Sequence, residues 1–165
     1  MKRLFLVRHA KSSWQDTKVV DFERPLNRRG EHDIPIMGER LARSGIKPRY
    51  VLSSPAVRAI ATARALTAAL GGDPDRIEQR PGIYEADAGD LLAMVRAFPA
   101  DWDLVMVCGH NPAITDLVNA LTDEIIENVP TCGFAEIVFE TDTWSTVGVG
   151  TGQLTLFEYP KGEFD

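Results

Sequence analysis

Four apolar residues, Leu4-Phe5-Leu6-Val7, give way without transition to the basic pair Arg8-His9. A short apolar run of this kind is the pattern of a buried strand. A strand that ends on a basic dyad sets that dyad at the edge of a sheet. In an α/β protein this is the edge where loops leaving strand C-termini line a ligand crevice. A single Arg-His pair is equally compatible with solvated surface, so its meaning depends on what the rest of the chain brings to the same edge.

The pattern recurs. A polar loop, 11–27, leads to Asn27 as a helix N-cap, after which Ile34, Met37 and Leu41 repeat at helical spacing until Gly45. Pro35 falls inside that helix and is expected to kink it or delay its regular part. Tyr50 to Ser53 read as a second strand, and Ser54-Pro55 as an N-cap and first position of a helix to Leu70. Arg58 then lies in the first turn, where a guanidinium reaches an anion held at the helix N-terminus. Arg76 to Ile83 read as a third strand that Pro81 and Gly82 interrupt, running into Tyr84-Glu85 and a helix capped by Asp87 with Leu91, Leu92, Val95 and Phe98 on one face. Asp103 to Cys108 form the clearest buried strand, followed by Gly109-His110 and a helix that Asn111 caps and Pro112 starts. Phe134 to Thr141 and Gln153 to Tyr159 read as an antiparallel pair around a turn-rich segment, 142–152. The expectation is one α/β domain over residues 1–165, a three-layer α/β/α fold with a central, mostly parallel sheet and an antiparallel C-terminal strand pair.

Composition narrows the functions. Of the 165 residues 18 are Lys or Arg and 24 are Asp or Glu, and the resulting net charge of −6 is wrong for a general nucleic-acid binder. It leaves room for an anionic substrate, because local charge within a cleft decides such binding. No apolar run approaches the ~20 residues that span a bilayer, so no membrane partner is expected and a cytoplasmic location is. Cys108 and Cys132 have neither metal-site nor redox-pair spacing and read as reduced structural thiols.

Parallel strands joined by helices place their C-terminal ends along one edge. Arg8, His9, Arg58, Glu85 and His110 therefore converge. Two guanidinium groups, two imidazoles and a carboxylate suit binding and transfer of a phosphoryl group, whose transition state spreads charge over oxygens that fixed donors stabilise. Lys11, Ser12 and Asp21 in the first loop and Asn111 beside His110 are the further candidates for substrate binding. His32 falls on the polar side of the first helix and reads as solvated.

Four ordered blocks carry a resemblance: Leu6-Val7-Arg8-His9-Ala10, Arg24 to Gly30, Ser53 to Ala63, and Gly109-His110-Asn111-Pro112. Together they resemble the histidine phosphatase, or phosphoglycerate-mutase-like, superfamily. Ala10 after His9, Lys11-Ser12-Ser13-Trp14 and the short chain are similar to its compact SixA-type phosphohistidine phosphatases. The resemblance implies that His9 is a nucleophile forming a phosphohistidine intermediate and that Arg8, Arg58 and His110 hold the phosphoryl oxygens. No cofactor or metal is expected, since basic residues already offset the phosphate charge. Adjacent Arg8 is expected to disfavour protonation of His9, while His110 could donate as the imidazolium.

Larger members use a carboxylic acid to protonate the leaving group, and Glu85 is favoured over Asp21 for that place. A phosphoramidate with a labile P-N bond needs such an acid little. The expected partner is a phosphorylated protein or small phosphorylated molecule, with inorganic phosphate as product. A phosphomutase and a non-catalytic phosphate-recognition module remain open alternatives.

Overall fold

The computed structural model describes residues 1–160. Six strands form one sheet: β1 (Lys2–Arg8), β2 (Tyr50–Ser53), β3 (Glu78–Gln79), β4 (Leu104–Gly109), β5 (Phe134–Phe139) and β6 (Gln153–Glu158). The helices are α1 (Arg28–Arg43), α2 (Val57–Ala69), α3 (Ala88–Arg96) and α4 (Ala113–Leu121). The strand order is β3-β2-β4-β1-β5-β6. Pairings from β3 to β1 are parallel, and β5 and β6 complete the sheet in antiparallel fashion. The expected α/β fold class holds.

Alternation along the central strands divides the core. Leu4, Leu6, Val105 and Val107 face α3 and α4, where Leu91, Val95, Ile114 and Leu117 join them. Phe5, Val7, Met106 and Cys108 point the other way, onto Met37 and Leu41 of α1 and Ala59, Ala63 and Leu66 of α2. Period-2 strands buried on both faces make the three layers.

Local chemistry moves several boundaries. The expected third strand shrinks to Glu78–Gln79, because the prolines at 74 and 81 each open a 3-10 turn around it, Pro74–Arg76 and Pro81–Ile83. Helix α2 starts at Val57 and not at Pro55, since Ser54 Oγ accepts from the Ala56 N–H and Ala56 stays extended. Helix α4 starts at Ala113, after a cis Asn111-Pro112 peptide. Asn111 still serves that first turn, its Oδ1 accepting from the N–H and hydroxyl of Thr115. Asn27 caps α1 as expected through the Gly30 N–H. That helix runs without a break through Pro35, which is exposed, so its regular part is not delayed.

Two features fix the first loop. A Cβ at Gly30 would lie 2.2 Å from the Lys11 carbonyl, so only glycine lets the loop press against the first turn of α1. Ser12 bridges Leu26, and the N–H groups of Ser13 and Asn27 donate to Pro25 and Lys11. At the other end of the chain Trp144, wholly buried in the turn-rich segment, donates to the Trp102 carbonyl at 2.6 Å and stacks edge-on against Phe98. Among the described residues no helix is long and apolar enough to cross a membrane.

Candidate active site

Strand register builds the centre. Arg8 is the in-register partner of Gly109 in the parallel β1-β4 pair, so the residues that follow, His9 and His110, leave the sheet side by side. Their ring centroids are 5.2 Å apart. Ser53 is paired with Cys108 one strand over, which brings Ser54 to the same edge.

His9 is buried, 8% exposed. Its Nδ1 lies 2.7 Å from the Ala10 carbonyl. A carbonyl only accepts, so Nδ1 carries the proton and Nε2 keeps a lone pair. Burial lowers the pKa to about 3, against the opposing bond to Ala10, and His110, Arg58 and Arg8 each lower it further. The ring is neutral as expected, with burial as the main cause and Arg8 a minor one. The main chain around it is held by His9 N–H to Gly109, Cys132 N–H to His9 and Ala10 N–H to Thr62 Oγ1. Thr62 in turn donates to the Arg58 carbonyl at 2.7 Å, which ties this loop to α2.

His110 Nε2 and Ser54 Oγ are 2.8 Å apart. Ser54 Oγ also accepts from Ala56 N–H, and it retains both a proton and a second lone pair to pair with His110 Nε2. His110 Nδ1 is buried without a hydrogen-bond partner in the protein. Burial, with Arg58 next, lowers the pKa to about 4. Burial thus favours the neutral imidazole over the imidazolium considered from sequence.

Arg58, 5% exposed, reaches across to the first loop. Its Nη1 donates to the Asp21 carbonyl at 2.6 Å and its Nη2 to Asp21 Oδ2 at 3.0 Å. Asp21 Oδ2 also accepts from the Tyr84 hydroxyl at 2.6 Å, and Oδ1 from Arg24 Nε at 3.1 Å. The Tyr84 bond, then Arg58 and Arg24, hold the Asp21 carboxyl well below the usual carboxylate range, while the same bond raises Tyr84. Asp21 is thus a fixed anion and not a proton donor near neutrality.

Arg8, His9, Lys11, Ser12, Asp21, Arg58, His110 and Asn111 line one cavity of about 1070 Å³. Arg8 Nη1 donates to the Val129 carbonyl, and Asn111 Nδ2 donates to Asn128 Oδ1 and the same carbonyl. Ser12 is engaged by Arg24, whose Nη1 donates to Ser12 Oγ at 2.7 Å. Glu85 is exposed on the loop before α3 and does not line this cavity. With the third strand shortened, its neighbour Tyr84 faces the site instead. His32 is exposed.

Sequence reasoning assigned no individual role to Ser54, Arg24, Tyr84 or Trp14. Ser54 was legible as a helix cap and within the Ser53 to Ala63 block, Arg24 within the Arg24 to Gly30 block, and Trp14 within Lys11-Ser12-Ser13-Trp14 in the loop expected to border the substrate mouth. Trp14 is 73% exposed and has the Arg24 guanidinium 3.4 Å from its ring centroid, a contact between two loop residues that no periodicity marks. No group of three or more His, Cys, Asp or Glu among the described residues is arranged to hold a metal ion.

Residues 4–102 match the model of the histidine phosphatase superfamily (branch 1). Over 151 residues the chain is 29% identical to an uncharacterized chloroplastic protein of Arabidopsis thaliana, covering 87% of this chain and 69% of that one. The fold superposes on SixA from Agrobacterium tumefaciens with a TM-score of 0.81 at 27% identity, covering 96% of this chain and 98% of the other. It also superposes on the protein histidine phosphatase SixA complexed with tungstate, with a TM-score of 0.79 at 24% identity over 96% and 97% of the two chains, a likeness of fold.

Proposed function

The chain belongs to the histidine phosphatase superfamily, and from that premise we propose that it hydrolyses phosphohistidine through a covalent intermediate on His9. The observation that carries this reading is the state of His9: neutral, proton fixed on Nδ1 by the Ala10 carbonyl, and in one cavity with Arg8, Arg58 and His110. A buried imidazole with a free lone pair beside two guanidinium groups suits attack on phosphorus better than simple anion binding.

In the first step His9 Nε2 bonds to phosphorus as the P-N bond to the substrate imidazole breaks, and the departing nitrogen takes a proton from solvent. Arg8, Arg58 and the His110 imidazole carry the charge on the phosphoryl oxygens. Water then attacks phosphorus and gives up a proton to solvent, the bond to His9 breaks, and hydrogen phosphate leaves with neutral His9 restored. No carboxylic acid is assigned to the leaving group, since Asp21 is held ionised and Glu85 lies outside the cavity. That favours a labile P-N substrate over an alkyl phosphate ester, whose departure gains more from an acid. The name phosphohistidine phosphatase given to SixA of Agrobacterium tumefaciens points the same way.

The test is to quench turnover in denaturant and look for acid-labile phosphate on His9, alongside rates for a phosphohistidine protein and a panel of phosphate esters. Label on His9 and a preference for phosphohistidine support the reading. Undiminished turnover by His9→Ala rejects the mechanism, and faster hydrolysis of sugar phosphates rejects the substrate.

A further inference from the structure

A phosphoryl group fills little of a cavity of about 1070 Å³, so whatever the phosphoryl is attached to lies against the cavity walls as well. Those walls are mostly polar or charged. Apart from His9 and His110, Trp14 is the one aromatic ring among the described residues that line them. It is also 73% exposed, whereas Trp102 is half-covered by Tyr50 and Trp144 is wholly buried.

A single exposed apolar side chain is ordinary on a protein surface, but such a residue is usually loose. Trp14 is held. The Arg24 guanidinium lies 3.4 Å from its ring centroid. Arg24 is buried and anchored in turn, its Nε donating to Asp21 Oδ1 and its Nη1 to Ser12 Oγ and the Ser13 carbonyl. Asp21 accepts from Arg58 at 3.0 Å and from Tyr84 at 2.6 Å, and the Tyr84 ring meets His110 edge-on with centroids 5.5 Å apart. An unbroken series of direct contacts therefore joins the indole to Arg58 and His110, two of the groups proposed to hold the phosphoryl. The guanidinium covers one face of the indole, and the exposure of the residue leaves the other face to solvent. A flat ring already fixed in place asks little ordering of itself when a second ring stacks on it.

We infer that Trp14 is a specificity-determining residue whose open face takes a planar ring carried by the transferred phosphoryl. That the ring belongs to a leaving group rests on the phosphatase reading above, whereas the binding of a ring beside a phosphoryl-like anion does not. Two sources supply such a ring: the imidazole of a phosphohistidine and the phenol of an aryl phosphate.

The first experiment needs no turnover. Phenylphosphonate, methylphosphonate and orthophosphate are titrated by calorimetry into the wild type, Trp14→Phe and Trp14→Ala. The wild type should bind phenylphosphonate about tenfold more tightly than methylphosphonate, toward the lower end of what one stacked ring contributes. Trp14→Phe should keep most of that preference and Trp14→Ala should lose it, with orthophosphate affinity almost unchanged in both. Equal binding of the two phosphonates by the wild type overturns the inference, as does a preference that survives Trp14→Ala. A loss of all three ligands in equal proportion overturns it too, because the indole then serves only to hold Arg24.

Kinetic arms separate the sources. In Trp14→Ala, a rise in KM confined to a phosphohistidine peptide identifies the imidazole, and one confined to a phosphotyrosine peptide the phenol. An unchanged KM for both rejects Trp14 as the selecting residue and leaves the phosphatase reading intact. A protein with no turnover that still shows the Trp14-dependent phenyl preference keeps the ring site and rejects the phosphatase reading.

Discussion

The Oγ of Ser54 lies 2.8 Å from Nε2 of His110 and also accepts from Ala56 N–H, so one hydroxyl ties the imidazole to the start of α2. Ser54 is a positioning residue for the His110 ring. Ser54→Ala removes that tie, and kcat should fall about tenfold with KM little changed, a loss of orientation smaller than removal of a direct oxyanion donor. Ser54→Thr should restore most of the rate. Nitrogen NMR of His110 gives the independent readout, a change in tautomer population in the alanine variant alone.

Asp21 occupies the Arg58 guanidinium that is proposed to hold the phosphoryl group. Its carboxylate is bound by Arg58, Arg24 and Tyr84 together. Asp21→Asn keeps an acceptor oxygen and removes the negative charge, so the inhibition constant for orthophosphate should drop by about fivefold, the upper range for a charge pair of this exposure. Weaker phosphate binding by the variant would show that Asp21 serves mainly to position Arg58.

The histidines set a pH window for stability. In the folded protein His9 titrates at about 3 and His110 at about 4, both below the ordinary 6.5. Below 6.5 the unfolded chain binds protons that the folded chain refuses, so stability is complete above that value and declines as pH falls toward 4. Thermal melts from about pH 8 to about pH 4 should show this decline, and His110→Gln should flatten it.

The same values govern activity. Since His9 is neutral well below its ordinary range, kcat/KM corrected for ionisation of the substrate should stay level from about pH 7 to about pH 5. A midpoint near 6.5 in that profile would place a protonated, solvated His9 in the free enzyme.

Gly30→Ala drives a methyl group into the Lys11 carbonyl, at 2.2 Å from an ideal Cβ. Neither partner is a flexible side-chain end, so α1 or the first loop has to shift. A loss of about 1–3 kcal/mol in denaturant unfolding is expected, the usual range for overpacking.

The meeting of Arg8, His9 and His110 was legible in the sequence because it depends on strand ends. Once β1 and β4 are parallel, Arg8-His9 and Gly109-His110 meet by register alone. Capping residues were legible too, as Asn27 and the Asp87–Asp90 capping box show. The failures share a cause. The third strand was cut short by two prolines, and Tyr84, on the turn that follows, bonds Asp21, a contact the sequence does not announce. Ser54 has two partners, and its tie to Ala56 moved the start of α2 by two residues beyond Pro55. The roles of Asp21 and Arg24 come from contacts between a loop and distant elements, and a loop without periodicity gives a sequence reader nothing to project them from. Trp144 was hidden in the same way, an indole wholly buried within a segment whose turns read as surface.

The first loop and the opening turn of α1 form one uninterrupted stretch, 11–29, pinned by Gly30 behind and by Asp21 against Arg58 in front. The atoms proposed to react belong to other segments. Substitutions within this stretch therefore reshape the wall that a substrate meets while leaving Arg8, His9, Arg58 and His110 on their own elements.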